Sequence, residues 1–321
     1  MEHLKYFYKN KNVLVTGGAG FIGSHIAQNL CSLEANVTIL DDLSTGSLDN
    51  IKPFCKNMKM VASDITIFKS CLKATKKQDI VFHTAAFISV PESVKHPKLC
   101  EKINVEGTKN LLEACRINKV KTCIFSSSAA VYGERKEECK ESDTPKPQSP
   151  YAQSKLDGEI LCKEYAKNYG VNTASLRYFN VYGERQNPNG AYAGVAAKFK
   201  QNIINNETIT IYGNGKQKRD FINVSQVAMA NLLIGSKAVL RGDIYNIATG
   251  KSITLFELIK KLEKETKRKH TKIAFEPSRK GDIFSSRANC DKFLFLKEDS
   301  KYEQKNNSTN TFISSNSSKT G

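Results

Sequence analysis

Tryptophan is absent from this 321-residue chain, although 12 Tyr and 16 Phe keep its aromatic content adequate for a packed core. No Cys-x-x-Cys pair occurs, and no group of His and Cys has zinc-ligand spacing, so no metal is expected. No stretch stays apolar over the length that a membrane span needs. The N-terminal MEHLKYFYKNKN has no apolar run of the signal-peptide kind. Acidic residues are in deficit, with 32 Asp and Glu against 49 Lys and Arg, a formal charge of +17. The lysines are scattered, with one denser run over residues 264–272 (KETKRKHTK), and no nucleic-acid recognition motif accompanies them. The excess reads as solvated surface; the sharper alternative is attraction of an anionic ligand such as a diphosphate. Nine cysteines, an odd number spread along the chain, fit reduced, mostly buried thiols in a cytoplasmic protein.

What is present is a chain long enough for a large core, as one big α/β unit or two packed domains. Short apolar runs at 13–16, 37–40, 58–62, 80–83, 122–127 and 173–176 alternate with helical patterns, including 21–33, 103–116 and 155–168. Such alternation predicts a doubly wound parallel sheet with helices on both faces, a Rossmann-like α/β fold. From about residue 180 the texture changes. Asn187-Pro-Asn-Gly190 and Tyr212-Gly-Asn-Gly215 read as loops. Helical patterns follow at 195–204, 224–236 and 254–266, and 245–248 reads as a further strand. The expected organisation is a dinucleotide-binding domain over 11–179, with 224–250 crossing back to it. A smaller mixed α/β substrate lobe follows over 180–295. Residues 301–321, rich in Asn, Ser, Thr and Lys, are expected to be disordered.

Val13-Leu-Val-Thr16 runs into Gly17-Gly-Ala-Gly20-Phe21-Ile22-Gly23, a Gly-x-x-Gly-x-x-Gly spacing between a strand and a helix. Gly17 permits the tight turn, Gly20 lets the backbone approach a pyrophosphate, and Gly23 lets the helix pack close to the sheet. Phe21 and Ile22 open that helix, whose N-terminus favours negative charge. Asp41 and Asp42 close the next strand; a carboxylate there accepts bonds from the adenosine ribose and repels a 2′-phosphate, which favours NAD over NADP. Asp64-Ile65 follows the third strand and is assigned to the adenine, with a helix N-cap before 66–72 as the alternative role of Asp64.

Tyr151-Ala-Gln-Ser-Lys155 follows Ser126-Ser-Ser128 downstream of this fingerprint. Taking hydride from a carbinol carbon requires removal of the hydroxyl proton, and free tyrosine, with a pKa of about 10, is a poor base at neutral pH. A nearby ammonium and a positive nicotinamide ring both favour phenolate. Tyr and Lys four residues apart on a helix face the same way. Tyr151 is therefore the expected general base and acid, Ser128 a partner for the same substrate oxygen, and Lys155 the charge that also holds the nicotinamide ribose.

The sequence resembles the extended short-chain dehydrogenase/reductases, in particular the nucleotide-sugar 4-epimerases. The resemblance rests on residues 17–23, 90–94 (VPESV), 104–108 (NVEGT), 126–133 (SSSAAVYG), 149–155 (SPYAQSK), 177–183 (RYFNVYG), 185–190 and 218–223 (KRDFIN), and covers about 12–292. It implies NAD oxidation of a UDP-sugar at C4 to a 4-keto intermediate, with the hydride returned to the other face. It places Asn104 and Tyr178 at the cofactor, Asn180, Arg219 and Arg279 at the diphosphate, and Asp282 on the uridine ribose. It also implies a homodimer built on helices such as 103–116 and 155–168. The family's gate residue aligns with Ser286; a small gate admits an N-acetyl group, which points to UDP-GlcNAc and UDP-GalNAc. Residues 185–192 (RQNPNGAY) resemble the branch that handles acetamido sugars.

Dehydratases of the superfamily carry an Asp-Glu pair beside the catalytic threonine, where this chain has Ala129-Ala130, which counts against both the dehydratase and the decarboxylase alternatives. A UDP-glucuronate epimerase would need a cation for the sugar carboxylate, a role open to Arg185. After Lys292 the family continues into a closing helix with a Leu-Gly-aromatic turn; this chain reads FLFLKEDS and then the polar tail. A non-catalytic NAD- and UDP-sugar-binding protein is the reading from another class.

Overall fold

The computed structural model describes residues 2–54, 58–135, 137–188, 194–269, 272–277 and 286–296. In chain order, α1 (Glu2–Tyr8) precedes β1 (Asn12–Thr16), α2 (Phe21–Ser32), β2 (Asn36–Asp41), β3 (Lys59–Ala62), α3 (Phe68–Ala74) and β4 (Ile80–His83). Next come α4 (Val90–Lys95), α5 (Pro97–Glu101), a π-helical turn (Lys102–Glu106), α6 (Gly107–Ile117), β5 (Thr122–Ser128), α7 (Pro150–Tyr169) and β6 (Asn172–Tyr178). The remainder is β7 (Asn180–Tyr182), α8 (Val195–Asn205), β8 (Ile209–Tyr212), β9 (Lys218–Asn223), α9 (Val224–Gly235), β10 (Arg241–Ile247), β11 (Ser252–Thr254), α10 (Leu255–Thr266) and β12 (Ile273–Glu276).

Seven strands form one parallel sheet in the order β10-β6-β5-β4-β1-β2-β3. Successive side chains of a strand face opposite ways, and both faces are covered. Val13, Val15, Ile39, Ile80 and Phe82 pack with α2 and α9, while Leu14, Leu40 and Val81 pack with α3, α6 and α7. This double burial is why these strands read as continuous apolar runs. The chain winds outward one way through β2 and β3 and the other way through β4, β5 and β6. The switch point therefore lies between β1 and β4, where such sheets bind ligands at their carboxyl ends.

The smaller lobe carries a three-stranded sheet, β11-β9-β7, and a parallel pair, β12-β8. α10 packs Leu258, Ile259 and Leu262 against Phe199 and Ile203 of α8; each such side chain, once buried, contributes about 1.5–3 kcal/mol. Its start is fixed by a reciprocal capping box between Thr254 and Glu257. β10 returns from this half of the chain to pair with β6 as the seventh strand of the main sheet.

Several elements differ from the sequence expectation. α1 was not foreseen: Leu4 and Tyr8 are buried, Phe7 packs half-buried beside them, and Tyr8 donates to Leu232 O at 2.8 Å in α9. The expected helix over 103–116 begins as a π-turn and becomes α-helical only at Gly107. α7 starts at Pro150, five residues early, because Ser149 caps it by accepting from Ala152 N at 3.1 Å. α3 is capped at Ile67; the Asp64 carboxylate accepts instead from Thr66 N at 2.7 Å, a turn two residues earlier. Residues 291–296 are helical, with Phe293 and Leu296 against the main core. The eight described cysteines are all free thiols. Among the described residues no cluster could hold a metal ion, and no helix is long and apolar enough to cross a membrane.

Candidate active site

The glycine loop joins β1 to α2 at the switch point. Gly17 has φ +65°, and a Cβ there would stand 2.7 Å from Ala85 N; at Gly23 it would stand 2.2 Å from Gly17 O. Backbone thus fills the space a side chain would need. Gly20 is the N-cap of α2 and gives no side-chain cap, and no acidic residue sits in the first turn, where Phe21 and Ile22 are half-buried. This cradle, with its free first-turn amides, fits a dinucleotide diphosphate. Asp41 is buried at the end of β2 and accepts from Ala19 N and Leu43 N, both at 2.9 Å. Burial pushes its carboxyl up, the two backbone bonds pull it down, and Asp42 pushes it up again. Asp42 is exposed and caps Ser44. Ile65 is a core residue lying against Gly107.

Ser128 ends β5, and Tyr151 and Lys155 lie on the first turns of α7. Burial raises the Tyr151 phenol above its ordinary pKa, Ser128 opposes this, and Cys100 adds to it. Lys155 is 4% exposed; its Nζ donates to Ser126 O at 2.9 Å and stands 6.0 Å from the Tyr151 ring centre. Burial lowers it to about 8, against smaller upward pulls from Cys100, Cys162 and Glu159. At the phenol burial is the largest influence, and the Lys155 ammonium is engaged by the Ser126 carbonyl.

Tyr178 pairs in register with Ser128. Its hydroxyl donates to Asn231 Oδ1 at 2.9 Å, so it accepts from Ser126 Oγ at 3.0 Å. Asn104, 2% exposed, sits in the π-turn, a distortion frequent at functional sites. Its amide is taken by protein: Oδ1 accepts from Phe87 N at 2.7 Å, and Nδ2 donates to Phe87 O at 3.0 Å and Ser154 Oγ at 2.9 Å. Two residues past Tyr178, Asn180 Nδ2 donates to Asp220 O at 3.0 Å and Ser286 Oγ at 3.4 Å. Ser286 N donates to Lys218 O at 3.1 Å, beside Arg219 on β9. Asn180 and Ser286 therefore meet just beyond the carboxyl end of β6, while the Arg219 guanidinium donates to Lys218 O at 2.9 Å. Arg279 and Asp282 lie outside the described residues.

A profile of the NAD dependent epimerase/dehydratase family matches residues 13–248. The chain belongs to that family. It is an NAD-dependent enzyme, and its relatives place it among the isomerases. A UDP-glucose 4-epimerase of Mycolicibacterium smegmatis is 35% identical over 293 residues, 85% of this chain and 88% of the relative. The solved UDP-N-acetylglucosamine 4-epimerase from Methanobrevibacter ruminantium M1, in complex with UDP-N-acetylmuramic acid, is 40% identical with a TM-score of 0.85, covering 90% of this chain and 92% of that one. The Thermus thermophilus UDP-glucose 4-epimerase complex with NAD is 35% identical, TM-score 0.80, covering 88% and 92%.

Sequence reasoning missed the buried groups that fix this epimerase-family site. Glu159 forms a bidentate pair with Arg177, at 2.8 and 2.7 Å, and accepts from Ser127 Oγ at 2.6 Å. Burial pulls the Arg177 pKa down, but the Glu159 bond and charge outweigh it and leave the net shift upward. A glutamate and an arginine in otherwise buried stretches were the available signal. Arg185 donates to Asn50 O at 3.2 Å, His25 Nδ1 at 3.2 Å and Gln28 Oε1, with its guanidinium 5.5 Å from the Phe54 ring centre. It is spent on α2 and the turns that precede β3.

Proposed function

We propose that the chain is a UDP-hexose 4-epimerase acting on the UDP-GlcNAc/UDP-GalNAc pair and, with a gate this small, on UDP-Glc/UDP-Gal as well. The observation that carries this reading is Ser128 at the end of β5, near enough to the Tyr151 phenol on α7 to pull its pKa down, beside the bond from Asn180 to Ser286. Tyr151 takes the C4 hydroxyl proton and later returns it, while Ser128 holds the same oxygen. NAD, when bound, accepts the hydride and gives it back, which is the chemistry the protein lacks. Burial keeps the phenol protonated in the protein alone, so its deprotonation waits on positive charge in the site, of which Lys155 supplies the protein's share. Gly17, Gly20, Gly23 and Asp41 hold the cofactor, with Asp64, Ile65, Asn104 and Tyr178 along its length. Asn180, Arg219 and Arg279 hold the diphosphate, Arg219 as a paired donor, and Asp282 the uridine ribose.

The dehydratase reading finds no acid or base beside Ser128. Ala129 and Ala130 open a 3-10 turn there, with Ala130 N donating to Ser128 Oγ at 3.2 Å. The glucuronate reading loses its cation, since Arg185 is committed elsewhere. Exposed Ile117, Ile160 and Tyr169 on α6 and α7 support the homodimer, and the free thiols support a cytoplasmic setting. The test is spectroscopic. UDP-GlcNAc added to NAD-loaded protein should raise an NADH-like band; no band with either UDP-GlcNAc or UDP-Glc would move the reading to a non-catalytic binder.

A further inference from the structure

His83 closes β4 in the middle of the parallel sheet, in register with Thr16 on one side and Phe125 on the other, and is 1% exposed. Both ring nitrogens meet threonine hydroxyls: Nδ1 lies 2.8 Å from Thr16 Oγ1 and Nε2 lies 2.9 Å from Thr108 Oγ1. The donors can be assigned by counting hydrogens. Thr108 gives its one hydroxyl hydrogen to Asn104 O at 2.5 Å, so it only accepts from His83, and Nε2 carries the ring hydrogen. Thr16 already accepts from Ala85 N at 3.3 Å and is free to donate to a bare Nδ1. Burial, and then the charge of Lys155, lower the imidazole to about 3, so the ring stays neutral at any working pH.

Each end of this bridge leads to functional backbone. Thr16 precedes Gly17, and Thr84 Oγ1 ties the same turn by donating to Thr16 O at 2.6 Å. Thr108 holds the carbonyl of Asn104 in the π-turn, Asn104 donates to Ser154 Oγ at 2.9 Å, and Ser154 donates to Tyr151 O at 2.8 Å. We propose that His83, fixed as the neutral Nε2–H tautomer between Thr16 and Thr108, is a positioning residue that sets the glycine loop and the Tyr151 turn of α7 at one fixed separation. The inference rests on the epimerase reading for its kinetic consequence, but not for the tautomer or the cofactor affinity.

The test combines Thr108→Val, Thr108→Ser and ¹⁵N-histidine NMR on the full chain. In the wild type one buried histidine should show a protonated Nε2 and a bare Nδ1, unchanged from pH 5 to pH 9. Thr108→Val should raise the Kd for NAD and, at saturating NAD and UDP-sugar, lower kcat, each about tenfold or more, with KM moving less than about threefold. Thr108→Ser should return both to within about threefold of wild type. A buried histidine that titrates in this range, or carries its hydrogen on Nδ1, overturns the proposal. So does a Thr108→Val protein with wild-type kcat and NAD affinity, or a folded Thr108→Ser protein as impaired as the valine variant. If Thr108→Val does not fold, the wild-type tautomer and the serine variant still decide. A wild type that binds NAD but turns over no UDP-sugar sinks the epimerase reading, and the tautomer and NAD affinities then judge the bridge.

Discussion

Replacing Lys155 by Met should stabilise the NAD-free fold at pH 7 while abolishing turnover. Lys155 is 4% exposed, and burial holds it at about 8 against 10.5 for the free side chain. At about 1.4 kcal/mol per pH unit, the folded state carries roughly 3 kcal/mol against the ammonium. The sign follows from proton counting. Between about 8 and 10.5 the unfolded chain binds more protons than the fold, so wild-type stability rises with pH across that window and carries the full penalty below it. Methionine removes the penalty and also the donor to Ser126 O, which costs about 1–2 kcal/mol. The net at pH 7 is a gain of about 1–2 kcal/mol, which disappears as pH approaches 10. Urea unfolding of both proteins at pH 7, 8.5 and 10 reads this directly. A Lys155→Met protein less stable than wild type at pH 7, or a difference that stays flat with pH, would refute the reasoning.

Glu159→Gln should leave the Arg177 guanidinium buried without its counter-charge and cost about 3–5 kcal/mol in urea unfolding; a loss below about 1 kcal/mol would show that the site relaxes around the lone cation. Gly23→Ala drives a Cβ to 2.2 Å from Gly17 O, and calorimetry should show NAD affinity reduced at least about tenfold. Tyr8→Phe deletes the buried bond to Leu232 O and should lower stability by about 1–2 kcal/mol with kcat unchanged; an altered kcat would tie α1 to the site.

The chemistry-bearing residues were legible because their spacing is local. Gly17 to Gly23 is one turn, and Tyr151 to Lys155 is one helical repeat, so their joint geometry follows from the element that carries them. The strands of the main sheet were legible for a related reason: burial on both faces leaves uninterrupted apolar runs. β7, β8, β9, β11 and β12 were missed because each mixes half-buried or exposed positions into its few residues and leaves no continuous apolar run. α1 escaped because its seven residues bury only Leu4 and Tyr8. The π-turn leaves no pattern at all, since one inserted residue looks like ordinary drift of a helical repeat. The second tier of the site is non-local: Ser126 meets Tyr178 across 52 positions, and Thr16 meets His83 across 67. Only the fold brings those partners together. The burial of Lys155 is non-local in the same way, because it depends on the strands beneath α7.

Purified chain incubated with UDP-GlcNAc, alongside UDP-Glc, UDP-GlcA and a Tyr151→Phe control, is the most direct measurement. Formation of UDP-GalNAc by the wild type, lost in the control while NAD remains bound, is the expected result. Turnover of none of the three sugars by folded, NAD-loaded protein would contradict the epimerase assignment.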